Sequence, residues 1–140
     1  MQPSTSEQYK LVQITTANPG EVLVALFDGL FRFLLVAKHT LPQPQKRAQA
    51  GEALSRAHAI VGELYAGLDR EKFPELVDNL MRIYEFCLGR ITHANLRNDG
   101  AAIDDVMRVL TPIREGFTQV VKTISPQELS ELKEAANAKR

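Results

Sequence analysis

The chain contains 140 residues, with 17 basic and 17 acidic side chains, 44% hydrophobic residues and a single cysteine. The length suits one domain with a substantial core, and the zero net charge argues against a generic nucleic-acid binder, because that class needs a basic excess to displace counterions. A lone cysteine cannot form an internal disulfide, which favours a reducing cytoplasm. The segment 1–10 lacks the pattern of a signal peptide, and the longest apolar stretch, 26–37, is interrupted by Asp28 and Arg32 and is too short to span a bilayer. The composition therefore predicts a soluble, cytoplasmic, single-domain chain without membrane insertion.

The first predicted elements are a polar arm and a long helix. Residues 1–18 are polar and are expected to form an N-terminal arm. Asn18, Pro19 and Glu21 are then typical of a helix start, since asparagine can cap, proline fits the first helical position and the glutamate has capping-box spacing. The apolar residues that follow recur with a period of 3.6, which predicts a helix ending near His39, before the next prolines.

Three more helices follow between the proline and glycine positions. They are predicted at about 45–68, 73–98 and 99–124. Short connections between four helices imply an antiparallel bundle, so the fold class is all-α. The predicted organisation is an arm over 1–18, a helical bundle domain over 19–124 and a short C-terminal helical extension over 125–140.

Two of the predicted helices carry more apolar surface than a bundle helix needs. In the first, Val24, Phe31 and Leu35 form a second apolar stripe beside the core face. In the third, a core stripe is predicted at 76, 80, 83, 87, 91 and 94, and a second stripe at Val77, Met81, Tyr84 and Leu88. These second stripes either pack tightly within the bundle or form an exposed interaction surface. The arm, the extension, a second subunit or a foreign helix would cover such a surface, and its methionine and aromatic content favours a partner.

Residues with catalytic or metal-binding chemistry are few. The histidines, at 39, 58 and 93, fall on different predicted helices without metal-ligand spacing, and no phosphate-loop, dinucleotide or nucleophile-elbow motif occurs. Cys87 lies on the core side of the third helix, where a small buried hydrophobe is expected rather than a nucleophile. Asp28 and Arg32, four residues apart, are expected to form an ion pair on the helix surface. The sequence therefore predicts no catalytic residue, no cofactor and no metal site.

One segment bears a faint likeness to a phosphotransfer motif. The run from Ala57 to Gly62 resembles the A-H-x-x-K-G of histidine phosphotransfer domains, which are also four-helix bundles. In that family the lysine offers charge to the phosphate. Here Val61 takes its place and is expected to face the core, so phosphotransfer through His58 is only a minor alternative.

Several segments, in order and in register, resemble the family of the flagellar secretion chaperone FliS, the export chaperone for flagellin. Residues 26–34 are similar to the family's L-Y-D-G-A-I-R-F-L segment, and residues 90–99 match its R-L-x-x-A-N-x-x-N-D ending of the third helix. Shorter matches lie at Tyr9, 15–21, 67–69, 78–80 and 83–86. The resemblance covers roughly residues 8–124, and residues 125–140 extend beyond it.

The resemblance implies an all-helical cytoplasmic chaperone that is not an enzyme. Members of the family hold the disordered C-terminal segment of flagellin in an apolar groove, which blocks premature polymerisation and assists secretion by the flagellar export apparatus. A co-chaperone and the export gate are further partners that it allows. The N-terminal tyrosine of the family, matched by Tyr9, is thought to fold over part of the groove until cargo displaces it.

The predicted partner-binding surface combines the arm, both second stripes and one matched asparagine. Its members are Tyr9, Ile14, Val24, Phe31, Leu35, Val77, Met81, Tyr84, Leu88 and Asn95. Asn98 and Asp99 also match the family, although helix termination and capping explain them equally well. Aspartate in place of Phe31 or Leu88 is expected to weaken cargo binding, whereas loss of the fold would identify these two as core residues. The alternative from another class is a helical adaptor or oligomerisation module, whose second stripes pair with its own copy.

Overall fold

The computed structural model describes residues 19–71 and 73–123, which form four α-helices joined by short connections. In chain order they are α1 Pro19–Thr40, α2 Arg47–Ala66, α3 Pro74–Arg97 and α4 Gly100–Thr123, with one turn of 3-10 helix at Pro44–Lys46 before α2. Within these described ranges no strand occurs. The predicted all-α fold is confirmed, and each helix begins and ends close to its predicted bounds.

The helices form a closed ring in which each packs against its chain neighbours and α4 packs back against α1. Contacts at both ends show that α1 and α4 are antiparallel: the rings of Phe27 and Phe117 lie 5.6 Å apart, while Lys38 pairs with Asp104. In such a ring, the α1–α4 boundary and the α2–α3 boundary lie on opposite sides of the bundle. This arrangement decides which of the predicted contact residues can share a surface.

The core combines large side chains from α1 with small ones from α2. Phe27, Leu30 and Leu34 are fully buried, and they face a helix whose buried residues include Ala50, Ala53 and Ala57. Small side chains at a helix contact reduce the distance between the helix axes. The large residues of α1 therefore fill the centre of the bundle without forcing α2 away.

The corner between α3 and α4 depends on two consecutive residues. Asn98 ends α3 in the left-handed conformation, with φ 52° and ψ 42°, which asparagine tolerates better than most residues. The Asp99 carboxylate then accepts a 3.0 Å hydrogen bond from the Ala101 amide and lies 3.0 Å from His93 Nε2. Because an aspartate at this position caps the first turn of a helix, termination and capping explain why Asn98 and Asp99 occur here.

Some predictions fall outside the described residues. They are the arm over 1–18 with its Asn18 cap and the contact residues Tyr9 and Ile14, together with the extension over 125–140. The predicted domain limits therefore stay predictions.

Candidate partner-binding surface

The second apolar stripe of α1 lies along its boundary with α4. We call this the α1–α4 groove: Val24, Phe31 and Leu35 on α1, with Arg114 opposite. The Arg114 guanidinium carbon lies 4.7 Å from the centre of the Phe31 ring, and the same group pairs with the Asp28 carboxylate. As a result Phe31 is only 7% exposed, Val24 is half-buried and Leu35 is 53% exposed. Of the two alternatives for this stripe, tight packing therefore holds for Phe31, which was predicted to contact a partner, because a side chain of α4 covers it.

The α4 side of this groove is polar. Thr111 and Thr118 flank Arg114, and their hydroxyls donate to the backbone carbonyls of residues 107 and 114, at 2.7 and 2.9 Å. A shallow depression of about 420 Å³ lies here, lined by Thr111, Arg114, Glu115, Thr118 and Gln119. Asp28 bonds Arg114 across the helix boundary, so the predicted pairing of Asp28 with Arg32 is wrong. The Arg114 guanidinium binds Asp28 more strongly than an exposed arginine would, because it also stacks on the Phe31 ring.

The second apolar stripe of α3 is partly a core seam. Val77 and Tyr84, predicted to contact a partner, are 1% and 2% exposed and pack within the bundle, and burial raises the pKa of the Tyr84 phenol above its ordinary value. Leu76, predicted in the core, is 45% exposed. The buried residues of α3 are Val77, Leu80, Tyr84, Cys87, Ile91 and Ala94. They alternate at spacings of three and four, which is the pattern of a single helix-packing seam, so residues from both predicted stripes of α3 belong to one seam.

The other two residues of that stripe line a groove between α2 and α3. Met81 and Leu88 are half-buried, and Glu85 between them accepts a 2.8 Å hydrogen bond from the Tyr65 hydroxyl of α2. The same side of α3 continues to Leu96, which at 77% exposed is the most exposed large hydrophobic side chain in the described chain. We call this the α2–α3 groove. Its widest part, about 230 Å³, is lined by Leu54, Ser55, His58, Ile91, Thr92, Asn95 and Leu96.

Leu96 and the α2 side of this groove were not among the residues predicted from the sequence. The spacing of 81, 85, 88, 92 and 96 was available as a signal, since it extends the Met81–Leu88 stripe by two more turns. The contribution of Ser55 and His58 could not be read from α2 alone. It depends on how the two helices are rotated against each other.

Asn95 also fastens the two helices that form this groove. The Arg47 guanidinium donates to the Asn95 side-chain oxygen at 3.0 Å and to the Asn95 backbone carbonyl. Gly51 lies beneath this contact, where an added Cβ would stand 3.4 Å from the guanidinium and 3.6 Å from the amide oxygen. Asn95 therefore ties the end of α3 to the start of α2, in addition to lining the groove.

The structure does not bring all the predicted contact residues into one surface. Val24 and Leu35 lie in the α1–α4 groove, whereas Met81, Leu88 and Asn95 lie in the α2–α3 groove on the opposite side of the ring. The remaining three described members, Phe31, Val77 and Tyr84, are buried. Any partner that uses both grooves must therefore reach around the bundle.

In the described part of the chain, no group of three or more His, Cys, Asp or Glu residues could hold a metal ion. Burial raises the pKa of the Cys87 thiol to about 12, and Val61 is fully buried, so it offers nothing to a phosphate on His58. Among the described helices, none combines the length and apolar character needed to cross a membrane.

Comparison with known proteins identifies the family. A family model described as flagellar protein FliS matches residues 1–124. The chain is 40% identical over 116 residues to the flagellar secretion chaperone FliS of Salmonella typhimurium, covering 82% of this chain and 85% of that protein. It is 31% identical to FliSB of Pseudomonas aeruginosa, covering 79% and 90%, and 26% identical to FliS of Bacillus subtilis, covering 82% and 84%. The chain therefore belongs to the FliS family of flagellar secretion chaperones, whose members are not enzymes.

Proposed function

We propose that this chain is a cytosolic export chaperone that binds the disordered C-terminal segment of flagellin. Binding prevents premature polymerisation and assists secretion by the flagellar export apparatus. The observation that carries the proposal is the apolar α2–α3 groove, with an exposed leucine in the α1–α4 groove on the other side of the bundle, in a chain whose relatives are named flagellar secretion chaperones.

The α2–α3 groove has the chemistry of a helix-binding surface. Its floor is apolar, from Leu54 and Ile91, and its rim carries the short polar side chains of Ser55 and Thr92. A groove between packed helices suits an amphipathic segment whose apolar residues recur at three and four positions. At the open end, Leu96 exposes most of its surface, and burying a leucine of this kind contributes about 1.5–3 kcal/mol before ordering costs.

Two grooves on opposite sides of one bundle favour a long, flexible partner. A disordered segment can wrap over separated patches, and it pays the ordering entropy only when it binds. A compact partner docked on one side of the ring cannot fill both grooves, since they lie at opposite boundaries of the ring. The terminal segment of a flagellin subunit, held in this way, is unavailable for filament assembly.

The predicted arm residues complete the proposed surface. Tyr9 and Ile14 precede α1, and we propose that they cover part of the apolar surface until cargo replaces them. A co-chaperone or the export gate would then use faces of the bundle that the flagellin segment leaves free.

A calorimetric titration tests the proposal. The full chain is titrated with a flagellin C-terminal segment and, as a control, with a scrambled segment of the same composition. We expect saturable binding of the native sequence alone, with the negative heat-capacity change that apolar burial produces. Leu96→Ser should weaken this binding about tenfold, because a leucine that a partner buries contributes on the order of 1–2 kcal/mol.

Leu76→Ser is the matched control, since it removes an exposed leucine from the same helix outside both grooves. It should change the affinity less than about threefold. Sedimentation of the free chain tests the other class of function. A stable dimer that ignores the flagellin segment would contradict the chaperone proposal and favour an oligomerisation module.

A further inference from the structure

A third apolar surface lies at the boundary between α3 and α4 and takes no part in the proposed cargo site. On α3 it consists of Leu76, Ile83 and Phe86, of which Leu76 is 45% and Phe86 44% exposed. Their spacing puts them on the same side of α3 as Arg90, whose guanidinium bonds Asp105 of α4 at 3.1 Å. This side of α3 therefore adjoins α4.

The matching side of α4 is also apolar. Val109, Ile113 and Val120 follow Asp105 at helical spacing and are half-buried. Gly116 lies among them, and among the described residues beyond its own helical turns no atom approaches within 4 Å of the position that its Cβ would occupy. Together with Leu76, Ile83 and Phe86, these side chains form what we call the α3–α4 face. It is a shallow two-helix surface of the kind that a further helix covers.

We propose that residues 125–140 of this chain cover the α3–α4 face as a short amphipathic helix. The described part of α4 ends at Thr123, and because α3 and α4 are antiparallel, the chain leaves α4 beside the start of α3, where Leu76 lies. Ser125 and Pro126 provide a helix start at that point. A helix that turns back there runs directly along the α3–α4 face.

Length and sequence pattern fit this occupant. The apolar residues of the segment are Leu129 and Leu132, three apart, followed by alanines at 135 and 136. Leu76 and Phe86 are ten residues apart, which is about 15 Å along a helix, and residues 125–136 span a similar length at about 1.5 Å per residue. The leucines of the segment can therefore reach the exposed apolar side chains of α3.

The segment 125–140 carries three acidic residues, at 128, 131 and 134, and three basic ones, at 133, 139 and 140, so it has no net charge. Arg82, one turn before Phe86 on the edge of the face, is exposed and donates to the neutral amide of Asn79. Arg108 at the α4 edge is 69% exposed, and its bond to Asp105 uses only one of the five guanidinium N–H donors. The glutamates of the segment can pair with these two arginines, so charge permits this occupant, while the apolar residues and the chain path carry the proposal.

A cysteine reporter in the full chain tests the proposal. Asn79→Cys places a thiol on the exposed α3 surface between Leu76 and Phe86, while the native Cys87 stays buried. With an excess of a thiol reagent, we expect Leu129→Ser with Leu132→Ser to speed labelling of this reporter about fivefold or more, since removing the anchors opens a locally stable contact. Phe86→Ser should speed it as well.

The matched reporter is Val36→Cys, an exposed position on α1, away from the α3–α4 face. Its labelling rate should not change with the leucine substitutions, and circular dichroism should show the same helix content in every variant. Labelling of the Asn79→Cys thiol that ignores the leucine substitutions would overturn the proposal. Protection that rises with protein concentration would overturn it too, because a second copy would then be the occupant. Neither result bears on the titration with flagellin, so the two proposals fail separately.

Discussion

The α1–α4 groove and the α2–α3 groove share one sequence feature, a second apolar stripe, but the two stripes differ in how much of their surface is exposed. Each was predicted as an apolar stripe next to a core stripe. In the first, Arg114 reaches over from α4 and covers Phe31, whereas in the second the stripe continues to Leu96, which stays 77% exposed. The difference teaches that a residue on a neighbouring helix decides whether an apolar stripe is open.

The two grooves also differ in the helix that faces the stripe. Opposite α1, α4 presents Thr111, Arg114 and Thr118, with the threonine hydroxyls bonded to their own helix. Opposite α3, α2 presents Leu54 and the short side chain of Ser55, which leave a concave space of about 230 Å³. The α2–α3 groove is therefore the better-formed receptor, and the α1–α4 groove is a flatter surface with one open leucine.

The largest expected effect is on the free energy of unfolding, which should fall much more for a substitution in the buried seam of α3 than for one on its exposed side. Tyr84→Ala should lower the free energy of unfolding by about 3–5 kcal/mol, because it leaves a cavity in the core. Leu96→Ala on the same helix should lower it by less than about 0.5 kcal/mol, since Leu96 is exposed. Urea denaturation measures both. Equal losses would contradict the division of α3 into a core seam and an open groove.

A smaller effect on the free energy of unfolding is expected at Arg114, whose guanidinium covers the Phe31 ring. Arg114→Ala removes the stacked guanidinium and its pairing with Asp28, and we expect a loss of about 0.5–1 kcal/mol in the free energy of unfolding. Arg114→Lys keeps the charge but not the planar group, and it should recover only part of that loss. Full recovery by lysine in urea denaturation would show that charge alone holds the contact.

The smallest expected effect concerns Cys87, whose thiol lies in the buried seam of α3 and should react very slowly with a thiol reagent. Because burial raises the pKa of Cys87 from 9.0 to about 12, the native thiol stays protonated near pH 8. Since the raised pKa belongs to the folded state, this group's contribution to stability is complete below pH 9.0 and is lost as the pH rises toward 12. Labelling of Cys87 at pH 8 should therefore require unfolding and should speed up in Tyr84→Ala. Rapid labelling of the native chain would contradict this placement of α3.

The sequence predicted the helices and their approximate ends because the signals are local. The proline at 74 and the Asn98–Asp99 corner act through their own backbone geometry, so no neighbouring helix is needed to interpret them. The resemblance also led to the correct family. What could not be predicted was the rotation of each helix in the bundle, which buried Val77 and Tyr84 and exposed Leu76. A broad apolar arc tolerates several rotations, and only packing against the other helices selects one.

The most direct test of the account is whether one flagellin segment occupies both grooves. A flagellin C-terminal segment is titrated calorimetrically into Leu35→Ser, Leu96→Ser and the double variant, with Val36→Ser plus Leu76→Ser as the control pair. We predict about tenfold weaker binding for each single variant and about 100-fold for the double variant, since distant anchors act independently, with little change in the control pair. Unchanged affinity in the double variant would contradict the account, because the segment would then bind elsewhere on the molecule.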